Sequence, residues 1–433
     1  MVVLPGLVGH VDRRDIAEMS CMGRVTPKLL IFLTVFIDLL GFGIIIPMLA
    51  ITGGLYLPES SVGQGALWLM TAYSLPQMIF SPLWGRLSDR FGRRPIILLS
   101  LAGSTGSYAL FALSDSFTLL LISRLLAGLF SANITAAQAY MADITSKEER
   151  TGGMGLFGMA FGLGFVLGPV IGAGALGVWA WMFPDARPHM GLGIVAALIC
   201  GSNLLWASIK LPESLPPERR GKVHFRRFAT TREALVTLRH PALGPLILLF
   251  FIITFAFANV EVSFPLYAKF FVGLSETGVY SIFIVVGLIM AFIQGYFIRK
   301  AVKFIPEQIW IILGCATLMV GVALLPLRPT AMGMLVPMCI LAVGHGLCIP
   351  CLMSLISRQA QAHLQGNVLG TSQAASTLGR ILGPLGGVAY DAFGPQWPFW
   401  IAAVVMLFAV YWANVTRWRL IRHRAQTDGA EPS

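Results

Sequence analysis

Long apolar runs separated by short polar segments dominate the chain. A stretch of about twenty apolar residues spans a hydrocarbon core of about 30 Å at about 1.5 Å per residue. By that measure the pattern predicts twelve helices, near 28–50, 65–85, 95–114, 117–141, 153–177, 189–210, 242–266, 275–298, 306–327, 331–357, 366–390 and 396–416. Of the 433 residues, 56% are hydrophobic and 12% are charged. That charge fraction is about half of an ordinary soluble domain's. The expectation is an all-α integral membrane protein.

The polar segments orient it. Lys and Arg resist crossing a bilayer, so the side that holds them is expected to be cytoplasmic. With the N-terminus inside, 26 of the 31 Lys and Arg fall in cytoplasmic segments. Only Arg187, Lys269 and Arg328 fall outside, and Arg124 and Arg380 lie within spans. Both termini are therefore expected in the cytoplasm. The net charge of +11 then reads as an orientation signal and an attraction to anionic lipid heads. No soluble basic module is evident, so no nucleic-acid partner is expected.

The second half repeats the first. LGFVLGPVIGA (163–173) and LGRILGPLGGV (378–388) align with Gly164 on Gly379, Gly168 on Gly383, Pro169 on Pro384 and Gly172 on Gly387, each 215 residues apart. These copies fall in spans five and eleven, so the simplest reading is duplication of a six-helix unit with both halves oriented alike. The expected organisation is a tail at 1–27, a six-helix bundle at 28–210, a basic linker at 211–241, a second six-helix bundle at 242–416, and a tail at 417–433. A pathway enclosed by two halves of one chain needs no partner subunit, and a monomer is expected.

Several motifs stand out. GRLSDRFGRRP (85–95) joins spans two and three, and a degenerate echo, GYFIRKAVKF (295–304), occupies the matching place between spans eight and nine. In it Gly85 permits close helix approach, Pro95 suits the first turn of span three, and Asp89 can cap free N–H groups or pair with an Arg. Four Arg alone would fix topology, but Gly85, Asp89 and Gly92 point to a gate built with Arg90, Arg93 and Arg94. Span four carries RLLAG (124–128), span five GFVLGPVIGA (164–173) and span one DLLGFGIIIP (38–47). Gly164, Gly168 and Gly172 recur at fours along one helix face, and Pro169 is placed to bend it.

On these motifs the chain resembles the major facilitator superfamily over nearly all of 28–416, and within it the twelve-span drug:proton antiporters that include tetracycline efflux proteins. The resemblance implies twelve helices in two pseudo-symmetric six-helix bundles, a small-molecule substrate, protons as the coupled ion, a cytoplasmic gate at 85–95 and an antiporter motif in span five. It implies a multi-pass protein of the cell membrane, with a bacterial inner membrane as the expected setting. One motif position departs, Ala173 standing where the family has glycine. Spans eight and nine also lack any His, Asp, Lys or Arg and hold acids only at their ends, Glu276 and Glu307. The charges that tetracycline exporters use there have no match, so another hydrophobic drug or a metabolite is expected.

Asp38 is the leading functional candidate. It lies about 15 Å deep if span one begins near Lys28, where insertion costs about 2.5 to 3.5 kcal/mol. It should therefore face the cleft between halves, with Arg124 as counter-ion. Burial opposes ionisation of a carboxyl and a guanidinium favours it, so the two can balance in a useful range. Glu261 has two readings, attraction of a cationic substrate or contact with interfacial water. Arg380 either neutralises Glu261 or favours an anionic substrate. His345 is a second proton site or a packing histidine. Asn133, Gln138, Phe42 and Tyr73 are candidate cavity residues. His345, Cys348 and Cys351 at successive spacings of three suggest packing beside Pro350, and no metal or other cofactor is expected. The scattered histidines form no catalytic cluster, so an enzyme is not expected. Uphill export in exchange for protons is the leading function; an uptake symporter or facilitator for a sugar, organic anion or other metabolite shares the expected fold.

Overall fold

Thr26 and Pro27 open the first helix. The Thr26 hydroxyl accepts the Leu29 N–H at 3.4 Å, and Pro27 sits where its missing N–H costs nothing. A computed structural model describes residues 26–131, 134–145, 150–216, 220, 231–359 and 365–428. Every regular element among them is helical.

The first half comprises α1 (Pro27–Gly54), α2 (Val62–Phe91), α3 (Arg93–Ala112), α4 (Phe117–Ser131), α5 (Ile134–Ile144), α6 (Arg150–Met182) and α7 (Pro188–Lys210). A short helix, α8 (Thr231–Arg239), lies in the basic segment between halves and packs on the second half. That half comprises α9 (Leu243–Leu266), α10 (Glu276–Phe292), α11 (Ile298–Ala301), α12 (Glu307–Leu324), α13 (Ala331–Gln359), α14 (Gln365–Leu382), α15 (Gly386–Phe393) and α16 (Trp397–Asp428). Contacts gather α1 to α7 into one group and α9 to α16 into another. The groups meet where α6 packs on α10, α1 on α9, and α2 on α14 and α15.

Among the described residues, ten helices are long and apolar enough to cross a membrane, against the twelve expected. The two others are α2 and the α14–α15 pair. Both are helical. However, α2 ends in Arg86, Asp89 and Arg90, and α14 carries a Gly, Thr, Ser and Gln-rich face before a 3-10 turn at Gly383–Leu385 breaks it from α15. These two are also the helices that face each other across the halves.

The repeated glycines do equivalent work in both halves. A Cβ at Gly168 would collide with the Gly43 backbone, and one at Gly164 would crowd Leu39. In the second copy, a Cβ at Gly383 would meet Ala258, and one at Gly379 would crowd Thr254. Ala258 and Thr254 stand 215 residues after Gly43 and Leu39, so the same helix crossing is built twice. Small residues let the backbones approach, and dispersion contacts then hold helices that lipid would not drive together.

Candidate functional site

Asp38 is buried, with 7% of its surface exposed. Its neighbours come from four helices of the first half. Gly41, one turn along α1, leaves room for the Tyr108 ring of α3: a Cβ there would sit 2.9 Å from Tyr108 Cε2. Phe42, four residues after Asp38, stacks on Tyr73 of α2 with centroids 4.7 Å apart. The charge of Asp38 reaches Tyr73, Tyr108 and Cys200 of α7, and Tyr73 also feels Arg124 and Arg380. Arg380 arrives from α14, its guanidinium carbon 5.9 Å from the centre of the Phe42 ring. Thus Asp38, Phe42, Tyr73, Arg124 and Arg380, singled out in the sequence, converge on one layer of the core.

Arg124, expected as the counter-ion of Asp38, is packed among aromatic rings. Arg124 is 2% exposed, and its Nε donates to Ser123 Oγ at 3.4 Å. Its guanidinium carbon lies 4.6 Å from the Phe111 ring centre and 5.9 Å from that of Tyr108. Nη2 is buried without a hydrogen-bond partner. The negative faces of two rings compensate a buried cation in part, and Tyr108 stands as the shared neighbour of acid and base. Tyr108 was missed from sequence because nothing distinguishes it from other spanning aromatics; the glycine three residues after Asp38 was the available signal.

The second half contributes Glu261 and His345. Glu261 on α9 is 5% exposed, and its Oε1 is buried with no hydrogen-bond partner. Burial takes it away from the interfacial water that one reading placed there. Arg380 is near enough for its charge to act on Glu261 and His345, yet it gives Oε1 no hydrogen bond. His345 stacks on Phe257 at 4.1 Å, and its Nδ1 is buried and unpartnered. Gln138 is exposed on α5, outside the buried layer. Asn133 lies outside the described residues. Cys348 Sγ contacts Cys315 Sγ at 3.7 Å and the Ile311 carbonyl, which fits packing between helices.

The 85–95 motif is a dense polar junction. Gly92 adopts φ +105°, a left-handed turn that suits glycine. Arg93 bonds Asp89 at 2.5 Å, Ser88 Oγ at 2.7 Å and Asp143 of α5 at 3.0 Å. Asp89 therefore pairs and does not cap. The cap comes from Glu213, just past α7, whose carboxylate accepts the Arg93 N–H at 2.9 Å and the Arg94 N–H at 3.3 Å. Glu213 was missed; its signal was an acid in LPES (211–214), directly ahead of the basic linker. Arg94 also holds the Ser208 carbonyl, whereas Arg90 is exposed and lies over the Phe91 ring. Glu213→Ala should destabilise the protein by about 1 kcal/mol, the usual worth of an N-cap. Arg220→Ala, which removes the 3.5 Å ion pair to Glu213 and a 3.4 Å hydrogen bond from Nε to the Leu215 carbonyl, should cost less. Thermal unfolding of the two variants checks that order.

At the opposite end the halves are tied directly. Gly63 and Gln64, in the first turn of α2, donate their N–H groups to Asp391 at 2.9 and 2.7 Å. A Cβ on Gly63 or Gly387 would strike the other's carbonyl. Nearby, the Tyr280 hydroxyl donates to the Ile44 carbonyl at 2.6 Å, and its ring packs on Gly172. The carboxylate supplies an acceptor for unpaired helix-start donors across the interface. Asp391→Ala should loosen this closure by about 2 kcal/mol, the scale of a charged hydrogen bond. A cysteine at Val62, 4% exposed in the intact protein, should then react faster with maleimide; an unchanged rate would show that the tie does not hold the mouth shut.

Comparison with known proteins places this architecture. The family model described as Major Facilitator Superfamily matches residues 31–384. Major facilitator superfamily domain-containing protein 10 of Bos taurus is 33% identical over 369 residues, covering 78% of this chain and 74% of that one. The class C tetracycline resistance protein of Escherichia coli is 32% identical over 365 residues, covering 84% and 89%. The crystal structure of the human organic anion transporter MFSD10 (TETRAN) superposes with a TM-score of 0.65 at 26% identity, covering 89% of this chain and 98% of that one. The chain belongs to the Major Facilitator Superfamily and is a multi-pass membrane transporter, not an enzyme.

Proposed function

We propose that the protein exports a small hydrophobic or amphiphilic molecule in exchange for protons, by alternating access between the two halves. The observation that carries this reading is Asp38, a carboxylate buried in a span of the first half beside Tyr73 and Tyr108 and within the field of Arg124 and Arg380. Intramembrane ionisable groups are costly and are retained for function. Tetracycline resistance proteins among the relatives favour export. The distribution of basic residues supports a cytoplasmic side for 85–95 and both termini in this reading, with a cell membrane, bacterial in the simplest setting, and a monomer as the working unit.

In this cycle Asp38 takes a proton while the site faces outward, and the local field around Tyr108 and Arg124 relaxes. The halves then close outside and open inside, the proton leaves, substrate enters, and the cycle reverses. The Asp391 tie belongs to the closed outer mouth, and the Arg93 cluster holds the cytoplasmic ends of α2, α3 and α5 as one body. One charge crossing about 100 mV supplies about 2.3 kcal/mol, or roughly fifty-fold accumulation.

A second reading concerns the cargo. Two guanidiniums, Arg124 and Arg380, stand in the core, and the human neighbour is titled an organic anion transporter. An organic anion is therefore the alternative substrate class. Purified protein in liposomes separates the readings. An imposed proton gradient should drive uphill flux of cationic or neutral amphiphilic dyes against the gradient's direction. Uphill flux restricted to anionic dyes would select the second cargo, and flux indifferent to the gradient would overturn proton coupling.

A further inference from the structure

Glu261 is the buried acid that this cycle leaves unused. It lines a small cavity of about 10 Å³ between the halves. Phe165 of α6 forms one wall from the first half. Phe257, Phe283, Met338 and Leu341, from α9, α10 and α13, form the others, and no lining residue besides Glu261 carries a polar side chain.

That geometry limits what can satisfy Oε1. The cavity has room for about one water, and a buried water needs two to four polar partners, which these walls lack. No donor reaches the oxygen. Arg380 of α14 acts on it by charge without a hydrogen bond to Oε1, and His345 of α13 packs on the ring of Phe257, a wall of the same cavity. The residues of α6 and α10 that line the cavity are apolar. Negative charge on Oε1 is poorly accommodated here, while a neutral carboxyl loses far less on leaving water.

The cavity also reports on the relation of the halves. Phe165 is its sole lining residue from the first half, so parting of the halves withdraws that wall and lets water reach the acid. We propose that Glu261 is a second proton-binding site, loaded whenever the halves close around it and emptied when they part. This rests on the alternating-access reading above. Because closure with substrate and closure with a proton on Asp38 both bury Glu261, its proton travels on both legs of the cycle. It therefore sets how readily the halves close, without adding net proton transport, and Asp38 keeps the driving role. Rising pH strips the proton and should slow closure.

Infrared spectroscopy of the purified protein, titrated with acid and base, tests the site without any transport. A carboxylic acid C=O band that persists at neutral pH should vanish in Glu261→Gln and survive in Asp38→Asn. Its absence from the wild type, or its survival in Glu261→Gln, would overturn the proposal. Gating is read separately, as exchange of a transported dye between symmetric compartments. With Asp38→Asn as background, so that Asp38 does not titrate, exchange should slow as pH rises, whereas adding Glu261→Gln should make it independent of pH and adding His345→Gln should leave the slowing in place. A profile moved by His345→Gln and not by Glu261→Gln would assign the effect to the histidine and remove Glu261 from gating. If export itself is misread, gradient-driven flux fails while the infrared band stays.

Discussion

Gly168→Leu is expected to abolish the folded protein. At this position α6 crosses α1 so closely that even one added carbon would overlap the Gly43 backbone, which no side-chain rearrangement can relieve. Leucine adds three more carbons. The helices would have to separate along a seam that also holds Gly164 against Leu39 and Gly172 against the Ile44 carbonyl. Overpacking a core by a methylene or two costs about 1 to 3 kcal/mol, and a branched side chain driven into backbone exceeds that range. Set against a total stability of roughly 5 to 15 kcal/mol, the loss should remove most monodisperse protein from detergent extracts. Gly168→Ala should retain some. Gly174→Leu on the same helix is the control, since a Cβ there meets nothing within 4 Å. Size-exclusion chromatography of the three variants checks the order; equal yields would show that the seam tolerates separation.

The duplication was legible at this level of detail. An offset of 215 residues, read from two glycine-rich segments, also relates their partners, Gly43 to Ala258 and Leu39 to Thr254. Small residues at fixed spacing say where backbones approach, and that constraint is local enough to survive in sequence. The core layer was legible in part. Asp38, Arg124 and Arg380 announced themselves because charge is rare in an apolar span. Their partners did not, since a ring that shields a guanidinium looks like any other membrane aromatic. Tyr108 and Phe111, the rings beside Arg124, went unnoticed for that reason. Glu213 and Asp391 were missed because each serves a helix start distant in the chain, 120 residues away for Arg93 and 328 for Gly63. Long-range capping of that kind has no periodicity to betray it. Spans two and eleven were correctly read as helices, and they pack on each other across the halves.

Asp38→Asn is expected to have the largest effect on transport. The amide is nearly isosteric and, like a protonated carboxyl, neutral, so the packing of Phe42, Tyr73 and Tyr108 should persist. What it removes is the ability to change charge. A site held permanently in the neutral form cannot exchange a proton for substrate, and the roughly fifty-fold accumulation available from about 100 mV should fall to equilibration. Exchange of labelled for unlabelled substrate across the same membrane needs only the conformational cycle, so it should continue. The decisive measurement is uphill flux of a transported dye into liposomes under an imposed proton gradient, with gradient-free exchange recorded on the same preparation. The account predicts exchange without accumulation for Asp38→Asn; accumulation equal to that of the wild type would contradict it.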